Sequence, residues 1–172
     1  RTAALCAMGP LPFKEIGAAA FLDDTRINVE GELQTAYGGS PFTLGVASGD
    51  PTPDGMVLWT RLMTGMDEAP ETTFAVQWEV ATDEAFRNVT QTGETTVLPQ
   101  LAHSVHVEIE NLESGRDYWY RFHAGDATSP VGRTRTAPPR NVDIDRFSFI
   151  FASCQHYERG WYTAFRHMAE EP

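Results

Sequence analysis

Cysteine is scarce in this chain, basic charge is outnumbered, and no long apolar run is present. The two cysteines, Cys6 and Cys154, stand far apart and form neither a CxxC pair nor zinc-finger spacing, so no disulfide framework is indicated. A single long-range bridge is discounted too, because Cys6 sits in a poorly patterned leader and Cys154 ends an apolar run. No window approaches the roughly 18 consecutive apolar residues of a membrane-spanning helix, which excludes a helical membrane span. Acidic residues number 24 against 13 basic ones, for a net charge of −11. Such a surface repels phosphate backbones and argues against nucleic acid as a bound scaffold. Solubility is the simplest role of the excess. Chemistry on a phosphoester would need local cations, metal ions above all, to reverse that field.

The 172 residues fit one domain, or one smaller domain with a piece of another. With 41% apolar and 22% charged residues the composition is that of a soluble globular protein. Residues 1–40 hold no sustained period and read as a leader or an arm packed on the next domain, with one helix-like stretch from Phe13 to Leu22 interrupted by Gly17. Arg1 to Pro10 is small and apolar like the tail of an export signal, but it shows no complete basic region or cleavage site.

Residues 41–137 change to a period of two, the mark of half-buried strands. Phe74, Val76, Trp78 and Val80 alternate with Thr73, Ala75, Gln77 and Glu79; Tyr118, Tyr120 and Phe122 alternate with Asp117, Trp119, Arg121 and His123. Leu101, His103, Val105, Val107 and Ile109 form a third series. Seven strands are expected, near 42–47, 56–62, 73–82, 88–92, 101–109, 117–124 and 131–136. Turns are expected at Ser48-Gly-Asp-Pro51, Pro53-Asp-Gly55, residues 83–87, Gly93, Glu113-Ser-Gly115 and Ala124-Gly-Asp126. Ser48-Gly-Asp-Pro51 reads as a turn rather than a phosphate cradle, since no helix follows to aim its amides at an anion. Short strands without intervening helices favour an antiparallel sandwich.

Asn111 to Phe122 resembles the tyrosine-corner region of fibronectin type III and immunoglobulin-like sandwiches. In that geometry Tyr118 buries its ring and returns its hydroxyl to nearby backbone. Trp59, Trp78, Tyr118 and Tyr120 then read as framework rather than as a sugar-stacking platform.

Residues 138–145 read as a linker, because Pro138 and Pro139 remove backbone donors. Residues 146–172 read as the start of a second domain. Arg146 to Ser153 is a nearly continuous apolar strand of the kind buried on both faces of an α/β sheet, followed after Gly160 by an amphipathic helix over 161–170, with Trp161, Phe165 and Met168 on one side. Cys154 stands at the carboxyl end of that strand, the edge where α/β proteins assemble their sites. A thiolate there is a strong ligand for a soft or oxidised metal, and an inert buried cysteine is an equal reading of the position. The histidines 103, 106, 123, 156 and 167 form no ligand pattern and read as surface or framework residues.

Several blocks in order resemble the alkaline phosphatase D (PhoD) family: Phe42-Thr-Leu-Gly-Val-Ala-Ser-Gly-Asp-Pro-Thr-Pro-Asp-Gly55, Val57-Leu-Trp-Thr-Arg-Leu62, Tyr118-Trp-Tyr-Arg-Phe122, Ser129 to Thr136 and Ala152-Ser-Cys-Gln155. The resemblance runs from about residue 41 to the end. It implies a fibronectin-like domain ahead of a calcineurin-like metallophosphatase domain, with ferric iron and calcium as cofactors. It further implies phosphatase and phosphodiesterase activity on phosphoesters, and a secreted or periplasmic location reached through twin-arginine export. Cys154 is the one position to which a site role carries over, as an iron ligand. The remaining ligands, beginning with the aspartate and tyrosine of a Gly-Asp-Tyr-Ile-Tyr strand end, are expected beyond residue 172. The 172 residues alone are therefore expected to be inactive, with the remainder of the catalytic domain as their partner, in the same or a second chain.

Two other readings stand beside this one. A non-catalytic sandwich module for docking or carbohydrate binding would need no metal aspartates, and purple acid phosphatases also place a sandwich first. The apolar run from Phe147 to Phe151 has no sheet partners of its own domain, so it is expected to be poorly ordered, swapped between chains or covered by a partner.

Overall fold

A computed structural model describes residues 39–65, 72–153, 156 and 158–170. The expected leader falls almost wholly outside the described residues, as does Cys6. Among the described residues there are eight strands: β1 Val46–Thr52, β2 Gly55–Arg61, β3 Phe74–Ala81, β4 Val89–Val97, β5 Ser104–Ile109, β6 Asp117–Ala124, β7 Ala127–Thr128 and β8 Gly132–Arg135. The α-helix α1 spans Thr163–Glu170. The strands form two antiparallel sheets, one ordered β1-β2-β5 and the other β4-β3-β6-β7, with β8 also pairing β6. The chain is mainly β, as its two-residue period dictates.

Alternation sets which residues meet. Leu58 lies opposite Val107 in the first sheet, and Val80 opposite Tyr120 and Trp78 opposite Phe122 in the second. Leu58, Val76, Val80, Tyr120 and Phe122 are buried between the layers, where an apolar side chain contributes about 1.5–3 kcal/mol relative to exposure. Leu112 and Tyr118 close one end of this core and Phe42 and Leu62 join it from the loops.

Three expectations are corrected. Ser48-Gly-Asp-Pro51 is not a turn but part of β1, which runs to Thr52. A proline is tolerated there because β1 is an edge strand and its register slips between Gly49 and Thr52, with Asp50 in the left-handed region at φ 47°. Gly93 is not a turn either. It lies inside β4, which continues to Val97, directly opposite Trp78, whose indole fills the space a side chain would take. Leu101 and His103 do not begin a strand: Pro99–Leu101 is a 3-10 turn, and Ala102 and His103 both have positive φ, so β5 starts at Ser104. Phe147–Phe151, expected to find no sheet partner in the sandwich, joins neither sheet. A strand exists only through its ladder, and among the described residues nothing pairs with this one.

The helix begins two residues later than its apolar pattern suggests. Gly160 and Tyr162 carry positive φ, a conformation that right-handed helix cannot continue through. None of its residues is buried.

Candidate functional site

The tyrosine corner is the best-defined local device in the sandwich. Asn111, at φ 62°, and Gly115, at φ 67°, turn the chain between β5 and β6, and Tyr118 then points back into the core with 2% of its surface exposed. Its hydroxyl accepts the Glu113 amide at 2.9 Å. The Arg116 guanidinium lies 5.8 Å from the centre of the Tyr118 ring. Tyr120 is equally buried, and burial raises the pKa of its hydroxyl, an effect the Ser48 hydroxyl partly offsets. Ser48 in turn donates to Thr134, which ties an edge of one sheet to an edge of the other.

Polar side chains on the opposite face of the second sheet form a connected row. The Glu79 carboxylate accepts the Arg121 Nε at 2.6 Å and meets the His123 Nε2 at 3.2 Å, while His123 Nδ1 lies 3.0 Å from the Thr128 hydroxyl. Burial works to raise the pKa of Glu79, but the hydrogen bonds and charges of Arg121 and His123 outweigh it and hold the carboxyl below its usual range. The Arg121 guanidinium also sits 4.1 Å over the Phe86 ring. This row was not singled out from the sequence. Its signal was there: Glu79, Arg121 and His123 occupy the polar positions of two strands that pair with each other.

A shallow depression of about 410 Å³ lies beside it, lined by Gln77, Trp78, Glu79, Thr92, Gly93, Glu94 and His123. Trp78 does not offer a sugar platform there, since its ring packs against the core and over Gly93. Trp59 stands on the outer side of β2, half-buried, in register with Ala47 and His106.

Cys154, the expected metal ligand, lies outside the described residues. Around it, Ser153 and His156 are exposed, and the His156 ring accepts the Glu158 amide through Nδ1 at 3.3 Å. Among the remaining histidines, His106 is exposed and His103 Nε2 lies 3.2 Å from the Thr72 carbonyl. No group of three His, Cys, Asp or Glu side chains suited to a metal occurs among the described residues. The described residues, which leave out Cys154, therefore supply no complete site for iron or calcium, and no catalytic step is assigned to them.

What does stand out is apolar exposure. Phe147, Phe149 and Phe151 expose 67%, 72% and 84% of their surface, and Trp161 exposes 93%. Successive rings in the phenylalanine series lie 6.0 and 6.2 Å apart, the spacing of alternate residues on one face of an extended chain.

The fold is thus a mainly β, fibronectin-like sandwich followed by an exposed apolar segment and a short helix. The chain belongs to the PhoD-like phosphatase family, whose N-terminal domain matches residues 28–138. It is 51% identical over 137 residues to alkaline phosphatase D of Bacillus subtilis (strain 168), a match covering 76% of this chain and 23% of that protein. A solved structure of PhoD superposes with a TM-score of 0.73 at 50% identity, covering 78% of this chain and 26% of that one. A human fibronectin type III domain aligns at 15% identity over 64% of this chain and 83% of its own, with a TM-score of 0.44. The chain spans about a quarter of the length of the phosphatases it matches. No helix among the described residues is long and apolar enough to cross a membrane.

Proposed function

We propose that this chain is the amino-terminal portion of an exported, metal-dependent alkaline phosphatase or phosphodiesterase acting on phosphoesters. Residues 41–137 form its sandwich domain, 138–145 its linker, and 146–172 the first strand-and-helix step of the metallophosphatase domain. The observation that carries this reading is the 51% identity to alkaline phosphatase D, a level at which relatives share a fold and here also a family model. The exposed run Phe147–Phe151 supports it, because apolar residues on both faces of a segment suit a strand in the interior of an α/β sheet.

In the complete protein Cys154 would supply a thiolate ligand to ferric iron, and residues of the catalytic domain would hold calcium. The chemistry such ions would supply is Lewis-acid polarisation of the phosphoester and a bound water of lowered pKa. The part played by the present residues is to build the scaffold and place that one thiolate at a strand end. Membership of the family supports export and a location outside the cytoplasm.

Hydrolysis of p-nitrophenyl phosphate and its bis-ester separates the outcomes. A polypeptide of family length is expected to hydrolyse at least one of them in a metal-dependent way, and the 172-residue polypeptide neither. A family-length polypeptide inactive with iron and calcium supplied would overturn the reading.

A further inference from the structure

We propose that Thr136 and Ala137 clamp the two sheets together at the point where the chain leaves the sandwich, and so fix the direction in which the residues after Pro138 set out. Thr136 follows β8 and has 2% of its surface exposed. Its amide donates to the Arg116 carbonyl at 3.1 Å. Its hydroxyl donates to the Glu113 carbonyl at 2.7 Å and accepts the Arg116 amide at 3.0 Å, so a single buried hydroxyl satisfies two backbone groups of the tyrosine-corner turn. Ala137 bonds in both directions: its amide donates to the Thr52 carbonyl and its carbonyl accepts the Gly115 amide, each at 2.9 Å. Thr52 ends β1 in the first sheet, whereas Gly115 and Arg116 lead into β6 in the second. Thr136 is thus tied to the turn that leads into the second sheet, and Ala137 bridges that turn to the first sheet.

Support ends abruptly beyond them. Thr136 is buried, Ala137 and Pro138 are half-buried, and every residue from Pro139 to Ile150 is exposed. Pro138 and Pro139 come within 3.9 Å of the place a Gly115 Cβ would occupy, so they rest on the turn that holds Ala137. Each proline fixes its own φ and favours an extended path. A chain anchored by backbone bonds to both sheets and continued by two prolines leaves in one direction rather than swinging from a frayed strand. For a following catalytic domain this sets its orientation to the sandwich, a consequence that rests on the function proposed above; the clamp itself does not.

Amide hydrogen exchange on the 172-residue protein tests it, in the wild type and in Thr136→Val and Thr136→Ser. The amides of Gly115, Arg116, Thr136 and Ala137 are expected to be protected to within about tenfold of those in β6, with Asn141 to Ile144 close to unprotected. Thr136→Val is expected to speed exchange at Gly115, Arg116 and Ala137 by about tenfold or more while leaving β3 unchanged, and Thr136→Ser, which keeps the hydroxyl, to behave as wild type. Wild-type exchange at Ala137 and Gly115 as fast as at Asn141 to Ile144 overturns the clamp. So does a uniform acceleration across the sandwich in Thr136→Val, or equal effects of Val and Ser. The wild-type rates decide the first point even if Thr136→Val does not fold, and no activity is read, so failure of the clamp and failure of the phosphatase reading give separate results.

Discussion

The Tyr118 hydroxyl accepts the Glu113 amide across the turn that joins β5 to β6, at 2.9 Å, from a ring buried in the core. Removing the oxygen leaves that amide without its partner while the packing of the ring persists. Tyr118→Phe is expected to lower stability by about 0.5–1.5 kcal/mol, the net contribution of a hydrogen bond whose amide lies on an exposed turn residue. Urea denaturation with an unchanged slope and a lower midpoint is the expected record; an unmoved midpoint would show the bond to be dispensable.

Gly93 lies under the Trp78 indole, where a Cβ would overlap the ring. Gly93→Ala is expected to cost about 1–3 kcal/mol through displacement of the indole, with Trp78 fluorescence shifting to the red as the ring becomes more exposed. Unchanged stability and unchanged emission in the variant would mean that the ring moves aside freely.

Glu79 gives a pH signature. Its folded pKa lies below its usual value of 4.5 because Arg121 and His123 outweigh the effect of burial. A depressed carboxylate contributes stability fully above the unfolded pKa and loses it as pH falls through the folded value. Glu79→Gln is therefore expected to narrow its deficit against wild type as pH is lowered from 6 to about 3, with a deficit at pH 6 of about 0.5–1 kcal/mol for a partly exposed pair. A deficit constant across that range would contradict the account of the Glu79 row.

The exposed phenylalanine series predicts association. Phe147, Phe149 and Phe151 present a larger apolar surface than an isolated residue does, and such patches bind hydrophobic dyes and one another. Replacing all three by serine is expected to abolish dye binding and concentration-dependent sedimentation while leaving the urea midpoint of the sandwich within about 0.5 kcal/mol. A loss of sandwich stability would mean that these rings belong to its core.

Most of the sandwich was legible because a period of two states which residues face inward, and Phe74 to Val80 and Tyr118 to Phe122 obey it. The tyrosine corner was legible from a Ser-Gly turn placed ahead of an aromatic pair. What escaped depends on partners that a linear pattern does not name. Pro51 stays in β1 only because that strand is an edge with a bulge, Gly93 stays in β4 only because Trp78 stands opposite, and the left-handed pair Ala102 and His103 cuts an otherwise regular alternation. The candidate site was legible in a weaker sense. A cysteine ending an apolar run has no geometry of its own, and the metal role proposed for it came from resemblance to a family; the clamp at Thr136 was missed because a single threonine before Ala-Pro-Pro shows none of its three backbone partners.

Iron quantified against protein tests the central claim most directly, in a polypeptide of family length and in its Cys154→Ser variant, with urea midpoints confirming that both fold. The account expects about one iron per wild-type chain, a loss of at least tenfold in retained iron in the variant, and an unchanged sandwich midpoint. Full iron in Cys154→Ser would contradict it, and so would a folded wild-type polypeptide that takes up none.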